Sequence, residues 1–298
     1  MKKNTLILFG VTSSPRLVNC YIAIQRRLLT SIFTIYREEH MDIEGKTALV
    51  TGGGRGIGRA TCLALARAGA DVVINYRKNA AEAQKTAEEI RSLNKKAFPV
   101  QADVTSSEEI DDMMNKVDEE FSNVDILINN AGHIEGGPLQ KTSEDAWERT
   151  MATHLRGPFL LCSRTVPYMI RQGAGKIINI GSTAGCKGAA NLPYATAKGG
   201  IISFTQSLAR DMSSHNILVN CVAPGPTITD FGSEPRTEAE KEKKRQKARE
   251  SENFPLNRAA EPEEVADAVV FLVSHDYITG ETLYVSGGCQ TLYHRLMM

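Results

Sequence analysis

The chain has 298 residues, 42% hydrophobic and 23% charged, with 35 basic side chains balanced by 35 acidic ones. That is the make-up of a globular protein of one large or two smaller domains, and a net charge of zero gives nucleic acid or an anionic membrane nothing to attract. Six scattered cysteines without zinc spacing, and six histidines without an H-E-x-x-H, argue against a metal centre and for a reducing, cytoplasmic setting.

No apolar run is long enough to span a bilayer. The opening MKKNTLILFGVTSS sets two lysines before a short apolar stretch, as a signal peptide does, but the stretch is brief and no small-x-small cleavage site follows. Residues 15–40 mix Arg, Leu, Ile and Tyr in a pattern compatible with an amphipathic surface helix. The more economical reading takes Met41 as a natural start, because MDIEGKTALVTG runs straight into the first strand. Residues 1–41 are then an extension outside the fold, with or without order of its own, and 42–298 a single domain.

From residue 45 onward short β-branched runs alternate with helical patterns. The strand candidates are TALVT (47–51), DVVIN (71–75), AFPVQ (97–101), DILIN (125–129), KIINI (176–180), ILVNC (217–221) and TLYV (282–285). Most are continuous apolar runs rather than strict alternations, as strands buried on both faces require. Between them lie helical stretches such as AAEAQKTAEEIRSLN, SSEEIDDMMNKVDEEF and PEEVADAVVFLV, the last two with capping residues and acidic first turns. This alternation predicts a parallel sheet with helices on both faces, doubly wound by right-handed crossovers. One stretch breaks the pattern: EPRTEAEKEKKRQKARE (234–250) has mixed charges at helical spacing and is placed to act as a lid over the carboxyl ends of the strands.

Directly after the first strand comes TGGGRGIG, Thr51 to Gly58, followed by a helical RATCLALARAG. Gly52, Gly56 and Gly58 allow a tight turn and, with Ile57, bring backbone close to a pyrophosphate at the helix N-terminus. At the end of the second strand, where NAD-binding sheets usually carry an acid, this chain has Asn75-Tyr76-Arg77-Lys78. Arg77, beside Tyr76, and Arg55 in the glycine loop suit a 2′-phosphate, so NADP(H) is preferred, with NAD(H) left open and an ordinary exposed loop as the bland alternative.

Within YATAK (194–198), Tyr194 and Lys198 stand four residues apart, which on a helix puts them on one face. That spacing is common by itself. In the company of TGGGRGIG, NNAG (129–132), NIGS (179–182) and PGPTIT (224–229), it resembles the short-chain dehydrogenase/reductase family, over about residues 45–288. The nearest likeness is to 3-oxoacyl-acyl-carrier-protein reductases and glucose dehydrogenase-like members.

The resemblance implies a Rossmann fold with a seven-stranded sheet in the order 3-2-1-4-5-6-7, and a homodimer or homotetramer using the fourth and fifth helices. It maps Ser182, Tyr194 and Lys198 onto the catalytic triad. Asp103, Val104, Asn130, Ala131 and Gly132 would line the adenosine side of the cofactor site. Pro224, Gly225, Thr227 and Thr229 would line the nicotinamide side, with Lys198 on the ribose. A free tyrosine titrates near pH 10, so proton transfer near pH 7 asks for a downward shift of about three pH units, about 4 kcal/mol. One ammonium at about 4 Å in an effective dielectric near 20 is worth that much, and Lys198 is the expected source.

Some positions depart from the family pattern. Where an asparagine usually stands in N-L-x-G, this chain has His154-Leu155-Arg156-Gly157, so His154 either continues a proton relay or is a packed core histidine. The Ser182–Tyr194 interval and the loop SHDYITG (274–280) are short, which implies altered loops. The expected activity is NADPH-dependent reduction of a carbonyl substrate, first a 3-oxoacyl thioester. The alternatives are a sugar or polyol dehydrogenase and a non-catalytic NADP(H)-binding protein. Arg171 and Lys187 are candidates for a basic entrance, and Cys186 and Phe231 for the pocket wall.

Overall fold

The computed structural model describes residues 43–231, 237–250 and 254–290; the extension expected at residues 1–41 lies outside them. Seven strands form one parallel sheet: β1 (Thr47–Thr51), β2 (Asp71–Tyr76), β3 (Ala97–Gln101), β4 (Ile126–Asn129), β5 (Gly175–Ile180), β6 (Ile217–Pro224) and β7 (Thr282–Val285). Their order is β3-β2-β1-β4-β5-β6-β7, as the resemblance implied. The reversal of direction falls between β1 and β4, whose residues Ala48, Leu49 and Val50 pair with Ile126, Leu127 and Ile128. A crevice opens at such a switch point, beyond the carboxyl ends of the strands.

The apolar runs are divided between two cores by the period of two. Val50, Ile74, Ile128 and Ile178 face helices α1 (Gly56–Arg67), α2 (Ala80–Ser92) and α9 (Pro262–Ser274). Leu49, Val73, Leu127 and Ile177 face α3 (Ser107–Glu120), α5 (Gly157–Gln172) and α7 (Leu192–Met212). Both faces are covered, which is why the strands need no polar alternation.

Capping sets the helix starts. Ser106 accepts from the Glu109 backbone N–H at α3, and Glu261 with Glu264 closes a capping box before Pro262 at α9. Four strands differ in their limits from the sequence reading: β2 and β5 are longer by one residue, at Tyr76 and Gly175, and β4 and β6 also shift. β4 begins at Ile126, and the Asp125 carboxylate just before it accepts from the Thr47 backbone N–H at 2.8 Å. β6 runs on to Pro224 because Val222, Ala223 and Pro224 still pair with Leu283, Tyr284 and Val285.

Two further segments shape the crevice. Between α4 (Glu144–Met151) and α5, residues Ala152–Arg156 form a π-helical turn, closed by the Gly157 N–H on the Ala152 carbonyl. Of the charged stretch 234–250, the described part forms α8 (Glu238–Arg249), with a capping box at Thr237. Its one buried residue, Ala248, packs with Ile228, Ala259 and Phe254 in a small core of its own.

Candidate active site

A cavity of about 690 Å³ opens along the carboxyl ends of the strands, and every residue singled out from the sequence as catalytic or cofactor-binding lies on its wall. One end is the glycine loop. Helix α1 starts at Arg55 with no side-chain cap and no acidic residue in its first turn, so its N–H groups remain available to an anion. A Cβ at Gly58 would fall onto the Gly52 carbonyl, so that position admits only glycine. Asn130 staples the loop by donating to the Thr51 carbonyl at 2.8 Å, while the Thr51 hydroxyl accepts from the backbone of Asn130 and Ala131 at 2.9 Å.

Arg55, Tyr76, Arg77 and Lys78 line the same end, together with Asn79 and Glu82. Arg77 stands 3.4 Å from Asp103, whose carboxyl is held below its usual range despite burial by hydrogen bonds from Thr105 and by Arg77. An anion-ready helix terminus, a glycine floor and three cations at one end of an elongated cavity suit a dinucleotide bearing phosphates.

At the other end stand Ser182, Tyr194, Lys198 and His154. Asn191 caps α7 by accepting from the Tyr194 N–H at 3.0 Å, and this puts Tyr194 in the first turn with Lys198 one turn on. The short helix α6 (Ala184–Lys187) packs so closely on α7 that a Cβ at Gly185 would overlap the Lys198 carbonyl. Ser182 Oγ accepts from the Ala184 N–H at 3.1 Å, and its hydroxyl hydrogen-bonds the Tyr194 phenol. Lys198 is buried; its Nζ donates to the Ile180 carbonyl at 2.6 Å and lies 5.7 Å from the centre of the Tyr194 ring.

The electrostatics correct the expectation of a lowered tyrosine. Burial pushes the Tyr194 phenol above its ordinary value, and the hydrogen bond from Ser182 opposes this without overcoming it. Lys198 is the group brought down, to about 8, by burial in a site with no carboxylate beside it among the described residues. Desolvation is the largest cause for both groups.

His154 is buried within the π-helical turn, a distortion that recurs at functional sites. Its Nε2 lies 2.8 Å from the His133 carbonyl and 3.3 Å from the His133 N–H, and the shorter contact, to an oxygen that only accepts, favours the tautomer with the proton on Nε2. Nδ1 is buried with no partner among the described residues. Burial first, and Lys198 second, hold the imidazole well below its ordinary value, so the ring is neutral at pH 7. It stacks on His133 at 5.7 Å between centroids.

Other side chains on the wall come from segments whose shape the sequence does not reveal. His133 and Ile134 follow the NNAG motif directly, Asp230 follows PGPTIT directly, and Lys244 belongs to the stretch 234–250 expected to cover the crevice. Lys244 reaches in from α8, donating to the Thr227 carbonyl at 2.7 Å. Phe231 is on the wall, 5.9 Å from the Tyr194 ring. Cys186 is exposed and lines neither this cavity nor its neighbour. Arg171 lies over the Tyr168 ring at the end of α5 that leads into the start of β5, at the opposite edge of the sheet from the crevice. It is not an entrance residue.

Comparison with known proteins agrees with this geometry. Residues 46–240 match the family model for short chain dehydrogenase. The chain is 37% identical over 246 residues to the 3-oxoacyl-[acyl-carrier-protein] reductase FabG of Staphylococcus epidermidis, covering 82% of this chain and 98% of that protein. To the reductase of the same name from Vibrio cholerae it is 39% identical over 252 residues, covering 83% and 98%. Among solved structures, a putative gluconate dehydrogenase from Agrobacterium tumefaciens superposes with a TM-score of 0.76 at 33% identity, covering 84% of this chain and 98% of that one. A short-chain type dehydrogenase/reductase from Mycobacterium marinum gives 0.75 at 30% identity, covering 83% and 96%. The chain belongs to the short chain dehydrogenase family and is an NAD(P)-dependent oxidoreductase acting on CH–OH groups.

Proposed function

We propose that this protein reduces a ketone to an alcohol with NADPH, and that the ketone is a 3-oxoacyl thioester. The observation that carries the reading is the gathering of Ser182, Tyr194 and Lys198 at one end of a cavity whose other end holds the glycine loop and three cations. The 3-oxoacyl substrate class is supported by the relatives in Staphylococcus and Vibrio. NADP(H) is favoured over NAD(H) because Arg55, Arg77 and Lys78 offer a 2′-phosphate hydrogen bonds and charge.

The glycine loop and the α1 terminus would hold the pyrophosphate, and Pro224, Gly225, Thr227 and Thr229 the nicotinamide end. The bound nicotinamide dinucleotide supplies the hydride. Tyr194 gives its proton to the substrate oxygen; the burial that raises its pKa keeps that proton in place until charge develops on the oxygen. Ser182 hydrogen-bonds the same oxygen and stabilises that charge. Lys198, whose Nζ lies 5.7 Å from the centre of the Tyr194 ring, favours through its positive charge the phenolate left behind. His154 acts through packing and its bond to the His133 carbonyl, keeping Tyr194 in place.

NADPH consumption with an acetoacetyl thioester, diketones and simple aldehydes, with Tyr194→Phe as the blank, tests the reading. Turnover lost in the variant supports it. Undiminished turnover in the variant would overturn the assignment of Tyr194. Tight NADPH binding without turnover of any carbonyl would favour a cofactor-binding protein. A polyol dehydrogenase is the second reading, supported by the likeness to the putative gluconate dehydrogenase, and NADP⁺ reduction by polyols tests it. The family likeness also supports a homo-oligomer, and the exposed Phe159 and Ile170 on α5 offer it an apolar face, to be checked by sedimentation.

A further inference from the structure

Next to the main cavity lies a second one, of about 320 Å³. The two share Ser182, Gly225 and Pro226. Beyond that shared wall the second cavity is lined by Lys187, Phe254 and Cys289, among others.

Lys187 is the last residue of α6 and is half-buried. Its Nζ donates to the Cys289 carbonyl at 2.9 Å, which holds the ammonium to the cavity wall instead of leaving it to extend into solvent. Among the described residues no carboxylate pairs with it. An ammonium has three protons to donate, and one carbonyl takes one of them. An ammonium held half-buried on the cavity wall has donors left to use, and an oxygen acceptor entering the cavity can take one. Phe254 and Pro226 provide the apolar surface along which a short chain can lie.

We infer that this second cavity receives the arm of the carbonyl substrate remote from the reacting carbon, and that Lys187 binds an oxygen acceptor on that arm. The acceptor is either a carboxylate or the carbonyl of a thioester or amide. The inference rests on the carbonyl-reductase reading, since Ser182 lines both cavities. It makes Lys187 a determinant of substrate choice and not of the chemical step.

Three ketones of similar length test it: 5-oxohexanoate, its methyl ester, and 2-hexanone, which has no second acceptor. The quantity read is kcat/KM for each acceptor-bearing ketone relative to 2-hexanone. In Lys187→Met that ratio should fall about tenfold to a hundredfold, through KM, the range set by one hydrogen bond to a charged group. Lys187→Arg should recover most of it. A fall for the acid alone identifies an anion as the ligand, and an equal fall for the ester identifies a carbonyl. Ratios unchanged in Lys187→Met overturn the inference while leaving the reductase reading intact. Calorimetric binding of 5-oxohexanoate in the presence of NADP⁺ provides a readout independent of turnover. If the wild type turns over neither these ketones nor an acetoacetyl thioester, the reductase reading fails; binding that is equal in wild type and Lys187→Met then overturns this inference too, and weaker binding in the variant sustains it.

Discussion

The imidazole of His154 meets the ring of Tyr194 edge-on, with 5.4 Å between centroids and 85° between planes. The other contacts of His154 hold this arrangement: Nε2 donates to the His133 carbonyl, and Cε1 sits so close to Gly132 that a Cβ there would be 2.6 Å away. A neutral histidine thus serves as a rigid spacer between the loop after β4 and the first turn of α7.

Because burial holds this imidazole well below 6.5, the unfolded chain takes up a proton in mildly acidic solution that the folded chain refuses. The associated stability is complete above about pH 6.5 and is lost as pH falls below that value toward the folded pKa. His154→Asn removes the titration. Thermal unfolding between pH 7 and pH 5 should therefore show a smaller fall in Tm for this variant than for the wild type, and parallel curves would contradict the buried neutral ring.

Lys198 gives a second pH signature. Its ammonium, pushed down to about 8, is lost as pH rises through that value, and with it the field that favours the Tyr194 phenolate. The rate of carbonyl reduction should be level near neutrality and fall above about pH 8. In Lys198→Arg the guanidinium keeps its charge, so a slower enzyme without that falling limb is expected. A stopped-flow pH profile of both proteins decides it.

The preference for NADPH is predicted to depend on the cations at the end of β2. Arg77→Ala removes a charged donor from the cavity wall and also frees Asp103, now 3.4 Å from it. The KM for NADPH should rise by about tenfold or more, the scale of one charged hydrogen bond, while that for NADH changes little. Equal changes for both cofactors would remove Arg77 from the 2′-phosphate.

Helix α7 is registered on the sheet by a buried ladder. Asn129 donates to Asn179 at 2.9 Å, Asn179 donates to the Thr205 hydroxyl at 2.9 Å, and that hydroxyl donates to the Ile201 carbonyl. Thr205→Val keeps the shape but leaves the Asn179 amide without its acceptor, at a cost of about 1–3 kcal/mol. Urea unfolding should show that loss, and the reductase rate should fall with it, because Thr205 and Tyr194 are carried on one helix.

Much of this was legible in the chain itself. The glycine loop between a strand and a helix, the capping residues of α3 and α9, and the four-residue step from Tyr194 to Lys198 are local features. Covalent spacing fixes what such residues can do together, so the parallel α/β sheet and the pairing of Tyr194 with Lys198 on one helical face follow from sequence. The residues read as catalytic or cofactor-binding all line one cavity, whereas Arg171, Cys186 and Lys187 do not line it.

What only the tertiary structure decided concerns distance through space and exclusion of water. The direction of the Tyr194 shift was misjudged from sequence because desolvation depends on everything packed around the phenol, not on one neighbour along the helix. Similarly, nothing local separates Arg171, at the far edge of the sheet, from Lys187, on a cavity wall, or marks Lys244 among the lysines of α8. The sequence by itself determined the fold, the glycine loop after β1 and the step of one helical turn between Tyr194 and Lys198. Folding decided which of these groups are desolvated and which cations meet the site, because burial and long-range contact belong to the packed chain as a whole.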